Sequence, residues 1–340
     1  MAVIIGDISD MSDKYPTGCL PLTTAQLKAQ ARKIESAISF PQYLWKNEAD
    51  MPILKWDELF ERWLDRRIEL AEKYRKKNLC LLPWEIYKSL PVSDRKSEVY
   101  AWNQGSLPSC SMHAAVHAYQ TSLLTAIALG SPLSYKAFNP IYPFYIAKGG
   151  SLAGGLDIFT TAEQSNEGGF YPVSAVGGDN LHVDRRKISE YSETAKKFQS
   201  GIVFIEGDYE KKIVKACRAL CSVCFGSGRF FTSARTDENG IKIMSGISYG
   251  GHAQCFTGYR RIGEEEYIFN QNSWGDTYGQ SNEDEPASGA WLGEEERAVY
   301  WRDIENYGQP FLVFVEGELR RDAALYNEFA LPKYPENWIA

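Results

Sequence analysis

The chain has 340 residues, 44% of them hydrophobic and 24% charged, enough for one large domain or for one domain with an extension. Its 37 basic and 44 acidic residues give a net charge of −7, which argues against nucleic acid as a partner. No apolar run reaches the roughly 20 residues that cross a bilayer, so no membrane partner is expected.

The start of the chain and its cysteines bear on location. The opening MAVIIGDISD has no basic stretch and only a short apolar run before Gly6, so a classical secretory signal peptide is not expected. The seven cysteines are odd in number and widely spaced, which predicts free thiols rather than a disulfide framework. Both features favour a cytoplasmic protein or a component of a virion.

Residues 1–90 are expected to form a helical extension. The Thr-Thr pair at 23–24 can cap a helix that runs through Ser36, and Asp57 can cap a longer helix over residues 57–77. The second helix has acids in its first turn and bases in its last, the order that the helix dipole favours. Its large apolar side chains need burial, so we expect this helix to remain packed against the protein or a partner.

A further helix is predicted after Pro108. Residues 109–129 have helix-forming composition and apolar spacing, and Gly130 followed by Pro132 marks its end. Cys110 is therefore expected at a helix N-terminus. The helix dipole lowers the pKa of a thiol at that position and favours the nucleophilic thiolate.

The later part of the chain changes from helices to strands. A helix is expected after Gly154 and Gly155, and another after Tyr209. Beyond residue 225, short apolar and aromatic runs alternate with Gly, Asn and charged residues, which predicts an antiparallel sheet or barrel. Helices followed by strands are typical of an α+β fold with two subdomains.

A cysteine nucleophile needs a base, and the chain has four histidines. His113 lies on the predicted helix of Cys110, near enough to approach the thiol, but no residue near it would orient its ring. His252 begins a strand, and the returning strand of the same hairpin ends at Asn272 and Trp274. There Asn272 can fix the tautomer of His252 while Trp274 excludes water.

Two other clusters have simpler explanations. His113 and His117 could bind a metal, but no carboxylate or thiol partner accompanies them, so ordinary core or surface positions are favoured and no metal or cofactor is expected. Cys217, Cys221 and Cys224 fit the buried stripe of one helix, which we prefer to a zinc or redox site.

These residues resemble the papain-like cysteine proteases, family C1, over roughly residues 90–310. Three motifs stand in the family's order: Gln-Gly-x-x-x-x-Cys at 104–110, Gly-His-Ala at 251–253 and Asn-Ser-Trp-Gly at 272–275. Their spacing also suits the family. The resemblance therefore covers about two thirds of the chain.

The resemblance implies a role for each motif residue. Cys110 would be the nucleophile, and His252 the general base and acid. Asn272 would orient His252, and Gln104 would donate to the oxyanion beside the backbone N–H of Cys110. The implied substrate-binding residues are Gly154, Gly155, Ala253 and Trp274.

The implied fold is papain-like α+β, with a helical left subdomain carrying Cys110 and a β-barrel-like right subdomain carrying His252. The expected domains are an extension (1–90), a protease domain (91–315) and a tail (316–340). The expected function is a thiol endopeptidase that cleaves polypeptides through an acyl-enzyme. The alternative is a structural or assembly component, for example of a virus or phage particle, with a protein partner bound through the extension.

Two departures from the family pattern lead to further expectations. Leu107 stands where the family has a disulfide cysteine, so no bridge is expected near Cys110. Residues 1–90 do not reproduce the family's propeptide pattern. We therefore expect the extension to pack outside the cleft and to leave Cys110 open to solvent, with an inhibitory propeptide across the cleft as the alternative.

Overall fold

The computed structural model describes residues 18–35, 53–76, 82–95, 102–128, 133–178, 182–274 and 289–315. Its helices are α1 (Thr24–Glu35), α2 (Glu58–Arg75), α3 (Pro83–Ser89), α4 (Val92–Arg95), α5 (Cys110–Ala128), α6 (Ile141–Ala147), α7 (Ile158–Glu163), α8 (Val173–Val176), α9 (Ile188–Ala195), α10 (Tyr209–Arg218) and α11 (Glu294–Trp301). Its strands are β1 (Cys19–Leu20), β2 (Ile53–Lys55), β3 (Phe138–Asn139), β4 (Leu156–Asp157), β5 (Tyr171–Pro172), β6 (Gly201–Phe204), β7 (Val223–Thr236), β8 (Lys242–Ile262), β9 (Glu265–Gln271), β10 (Gly289–Leu292) and β11 (Phe311–Phe314). The expected helix end at Gly130 and the tail 316–340 lie outside the described residues.

A seven-stranded sheet forms one lobe, in the order β10-β9-β8-β7-β11-β6-β2. The long antiparallel hairpin of β7 and β8 is its centre, and β9 continues the meander. At one end the sheet curls, so that Trp291 of β10 also pairs with Ile243 of β8. The predicted α+β class is confirmed, but among the described strands no pairing joins β10 to β2, so the expected barrel is an open, curled sheet.

Helix α5 is the centre of the other, helical lobe. Of its residues only Ile127 is not fully buried, because the helix packs between its helical neighbours and the sheet. Ser122 Oγ donates to the carbonyl oxygen of Val313 at 2.6 Å and ties the helix to β11. The helix begins at Cys110, close to the predicted start. Within the described part of the chain, no helix is long and apolar enough to cross a membrane.

Part of the expected extension belongs to the sheet lobe. Strand β2 pairs in parallel with β6 at the sheet edge. Asp57 Oδ1 accepts from the backbone N of Phe60 at 2.9 Å and caps α2 as predicted. Phe60 and Leu64 are fully buried in the core of the sheet lobe. The strand and the helix are thus built into the fold.

Arg67 fixes α2 to the rest of the sheet lobe. Its side chain is only 2% exposed and donates to the carbonyl oxygens of Ala219 at 2.9 Å and Leu220 at 3.4 Å. Its guanidinium carbon lies 4.6 Å from the ring centroid of Trp63. The two carbonyl groups lie directly after the last residue of α10, so the buried guanidinium of Arg67 joins α2 to the end of α10.

The prediction of a single helix carrying Cys217, Cys221 and Cys224 is wrong. Helix α10 ends before the second cysteine because Leu220 adopts a left-handed conformation (φ 65°), and the third lies in β7. All three are nevertheless buried. In the described ranges no cluster of ligand side chains could hold a metal ion.

Candidate active site

Cys110 is the first residue of α5, and its side chain is completely buried. Burial raises the pKa of its thiol to about 11, against the opposing effect of backbone hydrogen bonding from Ala253, Gly18, Ser111 and Cys110 itself. The helix N-terminus and these amides would stabilise a thiolate. In the present, closed arrangement the thiol keeps its proton.

His252 is held by Asn272, as the sequence predicted. Its Nε2 lies 2.8 Å from Asn272 Oδ1, and the same oxygen accepts from the backbone N of Ser273 at 2.7 Å. An amide oxygen only accepts hydrogen bonds, so Nε2 carries the proton and Nδ1 carries the lone pair. Burial lowers the pKa of His252 to about 4, although the bond to Asn272 raises it.

Two aromatic rings enclose the His252 imidazole. Trp274 stacks on it with ring centroids 4.5 Å apart and an interplanar angle of 22°. Phe230 contacts both rings edge-on, at 5.6 Å from His252 and 5.4 Å from Trp274. Trp274 therefore occupies the shielding position expected from its motif. Phe230 was expected only as part of a strand, because a lone aromatic residue gives no sign of what it covers.

Gln104 joins the loop before α5 to the end of β9. Its backbone N donates to the carbonyl oxygen of Ser273 at 2.8 Å, and its Oε1 accepts from Ser273 Oγ at 2.6 Å. Its Nε2 donates to the carbonyl oxygen of Leu107 at 2.7 Å. The amide is thereby oriented toward the loop that leads to Cys110. Ser273 is a positioning residue that the sequence argument left without a role.

The other base candidate is held within the core. His113 Nδ1 lies 3.0 Å from the carbonyl oxygen and 3.2 Å from Oγ of Ser109. His117 Nε2 accepts from the backbone N of Trp102 at 3.0 Å. Burial lowers the pKa of the two histidines to about 4 and about 3 respectively. Of the core and surface positions that the sequence left open, both rings thus take the core one.

A β-bulge precedes His252. The register of the β7–β8 hairpin shifts where Gly250 and Gly251 of β8 stand opposite Gly228 of β7. Gly250 has a φ of 151°, which a residue with a side chain rarely adopts. Bulges beside functional sites bend a strand and redirect the following side chain. This bulge lies directly before His252, which bonds Asn272.

Residues 18–22, here called the occluding segment, cross the site. The carbonyl oxygen of Gly18 accepts from the backbone N of Leu156 at 2.8 Å, and β1 runs parallel to β4. A Cβ on Gly251 would lie 2.0 Å from the carbonyl oxygen of Cys19. The segment therefore lies in main-chain contact with both walls of the cleft.

The expectation that Cys110 is open to solvent is wrong. Under the occluding segment Cys110 is 0% and His252 1% exposed. The physical reason is that glycines, which have no Cβ, let the segment lie directly on the backbone of the cleft. A Cβ on Gly18 would lie 2.1 Å from the carbonyl oxygen of Pro108, and a Cβ on Gly155 would lie 1.7 Å from the carbonyl oxygen of Gly18. Backbone meets backbone at both points, which no periodicity in the sequence indicates.

Helix α1 continues the occluding segment over the helical lobe. Gln26 Nε2 donates to Asp157 Oδ2 at 2.8 Å. Lys33 Nζ lies 3.0 Å from Glu163 Oε1 and 2.6 Å from Glu167 Oε1. These contacts are partly exposed and polar, and exposed ion pairs contribute little stability. The N-terminal part of the extension is thus held more weakly than α2.

No family model and no curated protein matches the sequence. Solved cysteine proteases are similar to it. Xylellain, a cysteine protease from Xylella fastidiosa, is 17% identical, with 64% of this chain and 82% of that chain covered and a TM-score of 0.43. Digestive procathepsin L 3 of the Tenebrio molitor larval midgut is 14% identical, covering 85% and 90%, with a TM-score of 0.44. Bromelain from Ananas comosus is 15% identical, covering 67% and 98%, with a TM-score of 0.45. At these values the similarity carries no argument about activity, which rests on the geometry of the site.

Proposed function

We propose that the protein is a cysteine endopeptidase whose site is kept closed by its own N-terminal residues. The observation that carries this proposal is the state of His252, whose Nε2 is bound to Asn272 Oδ1 at 2.8 Å and whose ring is covered by Trp274. The next residue, Ala253, lies in the same buried core cluster as Cys110. Nδ1 of His252 has no hydrogen-bond partner among the described residues, so it is the nitrogen that would accept the proton of the thiol.

The reaction would follow from these positions. Cys110 transfers its proton to Nδ1 of His252, and the thiolate attacks the substrate carbonyl carbon. The oxyanion accepts hydrogen bonds from the Cys110 backbone N–H and from Nε2 of Gln104. The imidazolium then protonates the leaving amine, and a water molecule activated by His252 hydrolyses the acyl-enzyme.

The occluding segment would prevent this reaction in two ways. Cys110 is completely covered and Gly18 lies against the backbone of Pro108, so a substrate carbonyl carbon cannot reach the sulfur. Burial also raises the pKa of Cys110 to about 11 and lowers that of His252 to about 4. Both residues are then neutral at physiological pH, and the thiolate does not form until the segment leaves.

Displacing the segment tests the proposal. Leu22 is 9% exposed, and burying such a side chain stabilises the closed form by roughly 1.5–3 kcal/mol. Leu22→Glu should open the cleft and produce hydrolysis of fluorogenic peptides that disappears when Cys110→Ala is added. Leu20→Glu is the matched control, because Leu20 is 44% exposed. A Leu22→Glu protein whose Cys110 reacts with iodoacetamide but which cleaves no peptide would contradict the proposal.

A structural or assembly role is the second candidate, and one observation favours it. Phe60 and Leu64 of α2 are built into the sheet lobe, so that part of the extension is a lasting component of the protein rather than a detachable leader. The same experiment separates the candidates, since a structural protein would gain no activity on opening. A location in the cytoplasm or a virion, and a partner bound through residues 1–90, stay predictions.

A further inference from the structure

Asp303 binds β7 at the bulge that precedes His252. Its Oδ2 accepts from the backbone N of Gly228 at 2.8 Å, and its Oδ1 accepts from Ser227 Oγ at 2.9 Å. Gly228 has no partner residue in the register of β7 and β8, so the carboxylate takes up an N–H that the strand pairing leaves over. Hydrogen bonds to an ionised carboxylate are about twice as strong as neutral ones. Asp303 therefore stabilises the bulge itself.

This contact is made directly opposite His252. Ser227 pairs with His252 in the β7–β8 register and is only 1% exposed. Its Oγ, which donates to Asp303, also accepts from the backbone N of Arg229 at 3.1 Å. The carboxylate and this hydroxyl thus bridge the two sides of the register shift. A movement of Asp303 reaches the strand partner of His252 through one hydrogen bond.

The turn that follows Asp303 also covers β8. Tyr307 stands at the end of a short 3₁₀-helix over residues 304–307. A Cβ on Gly251 would lie 3.1 Å from Tyr307 Cε1, and a Cβ on Gly228 would lie 3.0 Å from Tyr307 Oη. The bulge is thus held by hydrogen bonds on β7 and by a packing contact on β8.

We infer that Asp303 is a positioning residue of the catalytic site, which fixes the register of the bulge and thereby keeps His252 bonded to Asn272. The inference rests on the proposed peptidase function. Side chains alternate between the two faces of a strand, so a slip of one residue at the bulge would carry His252 to the opposite face of β8. Without the carboxylate, the N–H of Gly228 loses its acceptor, and the present register loses its advantage over a slipped one.

Loss of the carboxylate should appear in turnover. In the opened Leu22→Glu protein, Asp303→Ala should lower kcat at least about tenfold while KM changes little, because His252 takes part in the chemical step and a misplacement of about 1 Å can cost about 100-fold in rate. Asp303→Asn keeps one of the two acceptor oxygens, so its kcat should lie between those of Asp303→Ala and the opened protein. The milder variant carries the test if Asp303→Ala does not fold.

Asp237 provides the matched control on the same hairpin. Its Oδ1 accepts from the backbone N of Asn239 at 2.9 Å and of Ile241 at 2.7 Å, at the turn that joins β7 to β8. Asp237→Ala thus removes a carboxylate that holds the hairpin but not the register at His252. Its urea midpoint should fall, while its kcat stays within about twofold of that of the opened protein. A fall in kcat equal to that of Asp303→Ala would show that Asp303 acts through general stability, and would overturn the inference.

Labelling of Cys110 provides a second readout that does not need hydrolysis. The imidazolium of His252 favours the thiolate, so in the opened protein Asp303→Ala should slow the reaction of Cys110 with iodoacetamide at about pH 5.5 by at least about tenfold. Asp237→Ala should leave that rate unchanged.

The two readouts separate the inference from the proposed function. If Leu22→Glu cleaves peptides and Asp303→Ala leaves kcat unchanged, the positioning role is overturned and the peptidase stands. An opened protein that cleaves no peptide defeats the peptidase proposal, and the labelling rate then decides. Equal labelling of Cys110 with and without Asp303→Ala would overturn the positioning role as well, whereas slower labelling in Asp303→Ala alone would support it.

Discussion

Gly18 lies directly against the backbone of Pro108, two residues before Cys110. The approach is possible only for glycine, because a Cβ at position 18 would lie 2.1 Å from the carbonyl oxygen of Pro108. The loop that leads to Cys110 and the N-terminal chain are therefore fitted to each other through main-chain atoms. This contact makes the closed form a defined state of the protein.

Gly18→Val should open the site. The added side chain cannot be accommodated against the backbone at Pro108, so the occluding segment must move away and peptide hydrolysis should rise well above that of the unchanged protein. Leu20→Val, in the same segment but on its exposed side, should have little effect. Equal activity of the two variants would show that Gly18 does not hold the segment in place.

The catalytic pair is tested in the opened protein. In the Leu22→Glu background, Cys110→Ala and His252→Ala should each abolish hydrolysis, because the two residues act as one unit. His113→Gln should keep most of the activity, since His113 is bonded to Ser109 within the core. Loss of activity in His113→Gln with retention in His252→Ala would reverse the assignment of the base.

Asn272 should affect turnover rather than folding. Asn272→Ala removes the acceptor of His252 Nε2 and frees the ring to rotate, which forfeits part of the roughly 10²–10⁴-fold contribution of a general base. We expect kcat to fall at least about tenfold while KM changes little. Steady-state kinetics in the opened protein measure both constants, and an unchanged kcat would remove Asn272 from the site.

The site residues that the sequence predicted are each marked by a pattern within a short stretch of the chain. His252 lies on β8, and Asn272 and Trp274 directly follow β9, its neighbour in the same meander, so the hairpin and one short motif suffice to bring them together. Cys110 follows from the start of a long apolar helix. Such signals depend on neighbours in sequence, so the sequence can place these residues near one another, while their catalytic roles stay predictions.

The parts that the sequence could not predict depend on contacts between distant residues. Strand β1 has only two residues, too few for any periodic pattern, and its position depends on Gly18, Gly155 and Gly251 meeting across the cleft. Likewise the turn at Leu220 ends α10, although the spacing of Cys217, Cys221 and Cys224 fits a continued helix. Tertiary packing outweighs local propensity at both places.

Arg67→Ala should destabilise the whole protein. The change removes a buried donor to the carbonyl oxygens of Ala219 and Leu220 and leaves them unsatisfied, at a cost of about 2–4 kcal/mol in the free energy of unfolding. Arg66→Ala, one residue earlier and exposed, should change it by less than about 0.5 kcal/mol. Urea denaturation measures both values. Equal stability of the two variants would mean that α2 is not part of the cooperative fold.

Acid should weaken the closed fold through its buried histidines. The pKa values of His113, His117 and His252 are lowered by burial to about 4, 3 and 4, from an ordinary 6.5. Between these values the unfolded chain binds protons that the folded chain does not. The stability that depends on these neutral histidines is therefore fully present above pH 6.5. As the pH falls toward 4, the free energy of unfolding decreases by up to about 1.4 kcal/mol per pH unit for each ring. Urea midpoints that stay constant from pH 6.5 to pH 5 would contradict this. His113→Gln removes one of the three rings and should make the urea midpoint change less steeply with pH.

The most direct test of a closed, activated thiol is the rate at which iodoacetamide labels Cys110 at pH 5.5, located by peptide mass analysis. The unchanged protein should remain unlabelled at Cys110, because the occluding segment covers it. Leu22→Glu should label selectively and rapidly there, since ordinary thiols are protonated at this pH, and adding His252→Ala should abolish that reaction. Rapid labelling of the unchanged protein would contradict the closed form. Labelling in Leu22→Glu that does not depend on His252 would contradict the catalytic pair.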